Sequence, residues 1–151
     1  MTAKEILHQM SNASTQSNPI WKQVGVPSRG ESLFEMLANG FSYDTVQALL
    51  AEGLFQKSEF INITGIAPAT LDRRKRDGHL NTVESDKVYR LLRIIDSATE
   101  LFSGDQQKAV IWCRSQARGL GDRAPIDMVR TSAGTEAVID YIGRIEHGVI
   151  S

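Results

Sequence analysis

Four glycines, Gly40, Gly53, Gly65 and Gly78, break a chain whose apolar residues otherwise recur with helical period. Leu33, Phe34 and Leu37 precede the first, Val46, Leu49 and Leu50 the second, and Phe60, Ile61 and Ile63 the third. Short amphipathic helices stopped by glycine are therefore predicted from Glu31 onward. No segment alternates apolar and polar residues long enough to make a strand, and no internal repeat is found, so the fold class is all-α.

A longer helix is predicted over "NTVESDKVYRLLRIIDSATELFSG". Asn81 or Thr82 is placed to cap it, and Glu84, three residues after Asn81, completes a capping box. Val88, Leu91, Leu92, Ile95 and Phe102 form one stripe, suited equally to a core or a dimer face. Residues 105–115 read as another helix, "RGLGDRAP" as a loop, "PIDMVRT" as a short helix, and 134–148 as the last helix. "SNASTQSNP" is polar, small and aperiodic and "GVPSRG" adds further loop, so residues 1–30 are expected to be a flexible N-terminal segment.

The totals exclude several classes of function. Seventeen Lys and Arg stand against eighteen Asp and Glu, so binding to a polyanion must rest on local charge. Residues 56–80 carry five basic and three acidic side chains, whereas residues 1–55 carry three and five. The last twenty-one residues carry one basic side chain and three acidic ones. A single cysteine, Cys113, and three scattered histidines offer neither a disulfide framework nor metal-ligand spacing. There is no phosphate-binding loop, dinucleotide fingerprint or nucleophile elbow, and Cys113 reads as a small buried hydrophobe. No catalytic residue, cofactor or metal is expected. Without an apolar run of signal-peptide or membrane-spanning length, a cytoplasmic location is expected.

The basic segment sits inside "EFINITGIAPATLDRRKRDG", residues 59–78. It reads as a short helix, a turn at Gly65 and a second helix opened by Pro68, where the missing N–H costs nothing. That is the order of a helix-turn-helix, with Phe60, Ile66 and Leu71 as the apolar lock. Ile61 takes a position where the motif usually has a small residue. At about 100° per residue, a buried Leu71 directs Ala69, Arg73 and Arg76 outward, with Thr70 beside them. Arg74 and Lys75 are expected to flank the buried side, their stems packed and their charged heads turned to solvent or a phosphate. Arg73 and Arg76 suit guanine edges, and Thr70 and Lys75 suit backbone phosphate.

Three stretches carry a resemblance: "LDRRKRDGHLNTVESDKVYRLLRI", "AVIWC" with Trp112, and "GLGDRAPIDMVRTSAGTEAVIDYIGRIEHGVIS". In the last, Leu120-Gly121, Pro125, Asp127, Thr131, Gly134, Val138, Ile145 and Gly148 recur at family spacing. From about residue 56 to the end, the sequence resembles the Xre antitoxins of bacterial RES–Xre toxin–antitoxin systems, the MbcA/ParS/Xre family. The resemblance implies a helix-turn-helix over residues 31–80 that binds the operon's own double-stranded promoter DNA as a homodimer or higher oligomer. It implies a toxin-binding and oligomerisation domain over residues 81–151. The implied partner is a RES-domain toxin that consumes NAD or ADP-ribosylates a target, while the antitoxin carries no chemistry. Family members bring the last helix and tail to the toxin's active-site mouth. Here that assigns Tyr141, Arg144, Ile145, His147, Gly148, Val149, Ile150 and Ser151. Relatives commonly have an Asn after the Trp and a Gly-Gly pair, where this chain has Ala117 and Gly121-Asp122.

The residues alone read the tail more plainly. Val138, Tyr141, Ile142, Ile145 and Val149 form a helical stripe, with Glu136, Asp140 and Arg144 mostly off it. Gly143 within that helix costs about 1 kcal/mol relative to Ala, which suggests a close backbone approach. A stand-alone regulator whose second domain dimerises or senses a ligand fits the same pattern.

Overall fold

The computed structural model describes residues 2–4 and 18–148. Among the described residues from Asn18 to Gly148, eight α-helices follow one another: α1 (Ile20–Val24), α2 (Glu31–Asn39), α3 (Tyr43–Ala51), α4 (Lys57–Thr64), α5 (Pro68–Asp77), α6 (Thr82–Leu101), α7 (Gln106–Cys113) and α8 (Ser132–Glu146). Two 3-10 turns, Arg118–Leu120 and Pro125–Met128, join α7 to α8. The segment read as a short helix at "PIDMVRT" is the second of these turns. No strand occurs among the described residues, which hold only two isolated bridges, Ser42 with His79 and Ala117 with Arg123.

The twenty-residue α6 organises the rest. Its start is the expected capping box: Asn81 Oδ1 accepts from the Glu84 N–H at 2.8 Å, and Glu84 Oε1 accepts from the Asn81 N–H at 2.9 Å. Val88, Leu91, Leu92 and Ile95 are buried as the stripe requires, joined by Ile94 and Ala98, while Phe102 is half-buried at the C-terminal end. The wide apolar face exists because α6 meets α7 and α8 on one part of its surface and α1, α2 and α4 on another. Each such buried Leu or Ile contributes roughly 1.5–3 kcal/mol. The stripe is therefore core, and one continuous apolar cluster runs from Ile20 to Ile142.

The N-terminal expectation requires correction. Residues ahead of Glu31 already belong to the packed fold from Asn18 on: Ile20, Trp21, Val24 and Val26 are buried, and α1 packs on α3 and α6. Asn18 Nδ2 donates to the Asp96 carbonyl at 2.9 Å and to Asp96 Oδ1 at 2.8 Å, fastening the segment to α6. Five residues between Pro19 and Gly25 are too few to show a period, so their burial depends on partners far along the chain.

The C-terminal end of α5 is fastened from two sides. The Tyr43 N–H donates to the Gly78 carbonyl at 2.9 Å and the Leu80 N–H to the Phe41 carbonyl at 2.9 Å. The α2–α3 link thus runs beside residues 78–80 and holds the basic helix against the start of α6.

Candidate functional site

Two surfaces collect the chemistry. The first is the α4–α5 unit. The Thr64 hydroxyl donates to the Phe60 carbonyl at 2.8 Å and accepts from the Ile66 N–H at 3.3 Å. Gly65 ends α4 in the left-handed region at φ 71°, and its N–H donates to the Ile61 carbonyl at 2.8 Å. Pro68 opens α5 in its first turn, and Phe60, Ile66 and Leu71 are buried together. The bihelical reading and its apolar lock match the structure.

The four consecutive cations separate. The side chains of Arg73, Lys75 and Arg76 are exposed and make no hydrogen bond or salt bridge among the described residues, with Ala69 exposed and Thr70 half-buried on the same helix. Arg74 turns inward: its Nε donates to Glu84 Oε1 at 2.7 Å and its Nη2 to Glu84 Oε2 at 3.2 Å. Its head was expected at solvent or a phosphate, but a two-pronged pair with a largely buried carboxylate holds it. Lys75 differs too, for its stem is not packed. The last turn of α5 leans on the α6 cap through the Arg74 side, which leaves the Lys75 side open.

Glu84 therefore caps α6 and anchors α5 at once. Burial is the largest influence on its carboxyl and pushes it up, but the Arg74 hydrogen bond, the Asn81 N–H and the charges of Arg74 and Arg73 together hold it below the ordinary value. Of the two acids on α5, Asp72 lies 3.4 Å from Lys57 Nζ and Asp77 lies 4.0 Å from Arg74. What α5 presents to solvent is an unneutralised group of three cations.

The second surface lies where α7 meets α8. The Trp112 and Tyr141 rings stack at 6.3 Å and 12°, Phe102 meets Trp112 at 6.3 Å and 56°, and the Arg144 guanidinium sits 5.9 Å from the Tyr141 centroid. All three rings are half-exposed, and Ile111 beside Trp112 is 63% exposed. Gly119 makes room for this stack, since a Cβ there would lie 2.3 Å from Tyr141 Cε2. Ile145 is half-buried, and Arg144, His147 and Gly148 are exposed at the same end of α8. Val149, Ile150 and Ser151 lie outside the described residues.

Tyr141 and Arg144 are thus brought together with Trp112, which carries the family resemblance but had no expected place in the site. Phe102, Ile111 and Gly119 lie in the α6 stripe and the quoted stretches, but nothing in the sequence assigned them to this surface. An aromatic followed seven residues later by a lone glycine gives no local sign of a contact made across a loop. Gly143 differs in the other direction, because among the described residues outside its own helix turn nothing lies within 4 Å of a Cβ built there, so the expected close approach is not seen.

The loop that departs from the family pattern is closed by the Ala117 N–H donating to the Arg123 carbonyl at 3.0 Å. Asp122 itself adopts φ 62°, a left-handed conformation next to Gly121 at φ 65°. A conformation suited to a glycine pair is thus held here with Asp in the second place, a residue that tolerates it better than most. Burial pushes the Cys113 thiol up to about 12, which leaves almost no thiolate for nucleophilic chemistry at neutral pH. Among the described residues, no group of three or more His, Cys, Asp or Glu is placed to hold a metal ion, and no helix is long and apolar enough to cross a membrane.

Residues 32–93 match the Antitoxin Xre-like helix-turn-helix domain, and residues 97–148 match the Antitoxin Xre/MbcA/ParS C-terminal toxin-binding domain. The chain is 37% identical over 140 residues to the Antitoxin Xre of Yersinia enterocolitica, covering 91% of this chain and 95% of that one. It is 38% identical over 138 residues to the Antitoxin Xre of Photorhabdus laumondii subsp. laumondii, covering 90% and 93%. The chain belongs to the Xre antitoxin family.

The family's two domains fall on the two surfaces. The helix-turn-helix domain contains α2 to α5 and the first part of α6, and with them the three free cations. The toxin-binding domain starts within α6 and contains the Trp112–Tyr141–Arg144 stack. The likeness extends well upstream of residue 56, where the sequence resemblance began. A toxin and DNA are the partners that this pair of domains implies.

Proposed function

We propose that the chain is the antitoxin of a type II toxin–antitoxin pair. It binds a RES-domain toxin that consumes NAD or ADP-ribosylates a target, occludes that enzyme's active site, and represses its own operon as a dimer or higher oligomer. The observation that carries this reading is the aromatic stack of residues matching a toxin-binding domain, half-exposed and crowned by Arg144. Stacked aromatics with an arginine are the side chains most often found at the energetic centre of interfaces. Tyr141, Arg144, Ile145, His147 and Gly148 lead into Val149, Ile150 and Ser151.

DNA binding belongs to α5. Arg73 and Arg76 read base edges, Lys75 and Thr70 contact phosphate, Ala69 lies along the same face, and Arg74 holds the helix on Glu84. The chain acts by occlusion and binding, with no cofactor and no reaction of its own.

Co-expression with the product of the adjacent gene tests the reading. The expected result is co-purification of the two proteins and loss of the toxicity seen when the partner is expressed alone. Growth inhibition that persists in the pair would overturn the antitoxin assignment and leave a regulator acting alone.

A further inference from the structure

Helix α4, the first helix of the helix-turn-helix, has eight residues and packs on α6, with Lys57 paired to Asp72 of α5. Two arginines from the toxin-binding domain hold its ends. At the N-terminal end, Arg114 at the close of α7 donates from Nε to Glu59 Oε2 at 2.7 Å and from Nη2 to Glu59 Oε1 at 2.8 Å. It also donates to the Leu54 carbonyl, and its guanidinium lies 5.5 Å from the Phe55 centroid. At the C-terminal end, Arg130 ahead of α8 donates from both Nε and Nη2 to the Asn62 carbonyl, and its side chain lies against Gly65 in the turn. Arg130 is itself tied to α6, because its carbonyl accepts from Arg90 Nη1 at 2.9 Å.

These contacts suit what a short helix leaves open. Asn62 is among the last four residues of α4, whose carbonyls have no partner within the helix, and a cation there complements the helix dipole. Glu59 in the first turn is the complementary anion, and its carboxyl is held below the usual value chiefly by the Arg114 hydrogen bond. A forked guanidinium fixes direction as well as distance, which an ammonium group does not.

We infer that Arg114 and Arg130 are positioning residues for DNA reading: they fix α4 and, through the Gly65 turn, set the angle at which α5 presents Arg73 and Arg76. The inference rests on α5 being the DNA-reading helix. A helix-turn-helix reads bases only when its first helix is set across the backbone and its second enters the groove at the right angle. Here the first helix is set by side chains that the motif itself does not contain.

The test uses the full chain and two labelled duplexes, one taken from immediately upstream of its own reading frame and one scrambled. Affinity is measured over a range of salt concentrations. For Arg130→Ala, affinity for the upstream duplex is expected to fall about tenfold, the size of one charge-assisted hydrogen bond. Affinity for the scrambled duplex and the salt dependence of binding stay close to the parent's. Arg130→Lys and Arg114→Lys keep charge and stem but lack the fork, and are expected to lose selectivity like the alanine variants. They carry the test should an alanine variant fail to fold. Amide exchange at Gly65 and Ile66 is expected to quicken in Arg130→Lys. Recovery of full affinity by lysine, or a shallower salt dependence in Arg130→Ala, would make Arg130 a phosphate contact and overturn the inference. Unchanged affinity in Arg130→Ala, Arg130→Lys and Arg114→Lys while Arg73→Ala and Arg76→Ala lose it overturns the inference alone. Retention by the Arg73 and Arg76 variants overturns the DNA-reading assignment and the inference with it.

Discussion

Two glycine-to-alanine substitutions in the toxin-binding domain have opposite expected effects, and the structure says why. Gly119 and Gly143 both lie outside the positive-φ region, so alanine introduces no backbone strain at either and only the space for a methyl group differs. At Gly119 the methyl would sit 2.3 Å from Tyr141 Cε2 and 2.8 Å from Cδ2. Ordinary carbon contacts lie at about 3.5–4.0 Å, so the ring must move by over ~1 Å, and Trp112 stacked on it resists. Overpacking of this kind costs about 1–3 kcal/mol, offset in part by about 0.4–1 kcal/mol from the stiffer unfolded chain. At Gly143 the methyl meets nothing, and alanine in a helix interior gains about 0.8–1 kcal/mol. At about 2–4 °C per kcal/mol for a chain of this size, Gly119→Ala should melt lower by up to roughly 10 °C and Gly143→Ala roughly 2–4 °C higher. Thermal unfolding followed by far-ultraviolet circular dichroism reads both shifts. Neutralisation of the co-expressed toxin should be impaired by Gly119→Ala, because the ring that moves is the one assigned to the interface. A Gly119→Ala protein as stable and as neutralising as the parent would refute the packing argument, and a destabilised Gly143→Ala would reveal a close neighbour that the structure does not contain.

Three further outcomes follow from named side chains. Arg73→Ala or Arg76→Ala should alter which promoter sequence is preferred, whereas Lys75→Ala should reduce the salt slope of binding by about 1; identical behaviour of all three would show that the assigned faces are wrong. Glu84 and Glu59 both have lowered carboxyl values in the folded chain, so the stability they contribute is present above the unfolded value of about 4.3 and is lost as pH falls through the lower folded values. Melting temperature should therefore drop below about pH 4.3, and Glu84→Gln should melt lower at neutral pH with a shallower acid decline; parallel pH profiles for parent and variant would count against the Arg74–Glu84 anchor. Removal of Val149, Ile150 and Ser151 should weaken toxin neutralisation while leaving promoter binding unchanged, as co-expression and a mobility-shift assay can measure, and full neutralisation by the shortened chain would remove the tail from the interface.

Features whose cause is local were legible in the sequence. The Asn81–Glu84 capping box spans three residues and needs only the cap itself. The lock of Phe60, Ile66 and Leu71 follows from two adjacent helices and the turn between them. Features decided by distant partners were not legible. Arg74 and Lys75 are equivalent neighbours on a helical wheel, and Glu84, brought close by the start of α6, separates them. Trp21 and Val24 are buried by α3 and α6, whose packing leaves no trace in "IWKQV". Gly143 breaks a helical pattern and drew attention, whereas Gly119 sits in a loop and drew none, although Gly119 is the one with a ring against it.

The separation of the cations also bears on how a chain of net charge −1 can hold DNA. Each phosphate contact contributes about −0.9 to the dependence of log affinity on log salt. With Arg74 committed to Glu84, one copy offers at most Arg73, Lys75 and Arg76 from this helix, and fewer to phosphate if the arginines read bases. Electrostatic attraction from one α5 is therefore too weak to hold a promoter at physiological salt, and the acidic remainder of the chain opposes it. Two copies on a two-fold site would double the contacts while the entropy of association is met largely once, which is the physical case for the proposed dimer. The fixed angle of α5 then matters doubly, because two recognition helices must enter successive major grooves together. The domain that matches the toxin-binding family also supplies Arg114 and Arg130, which hold α4, so the two surfaces, though formed by different helices, depend on one packed unit.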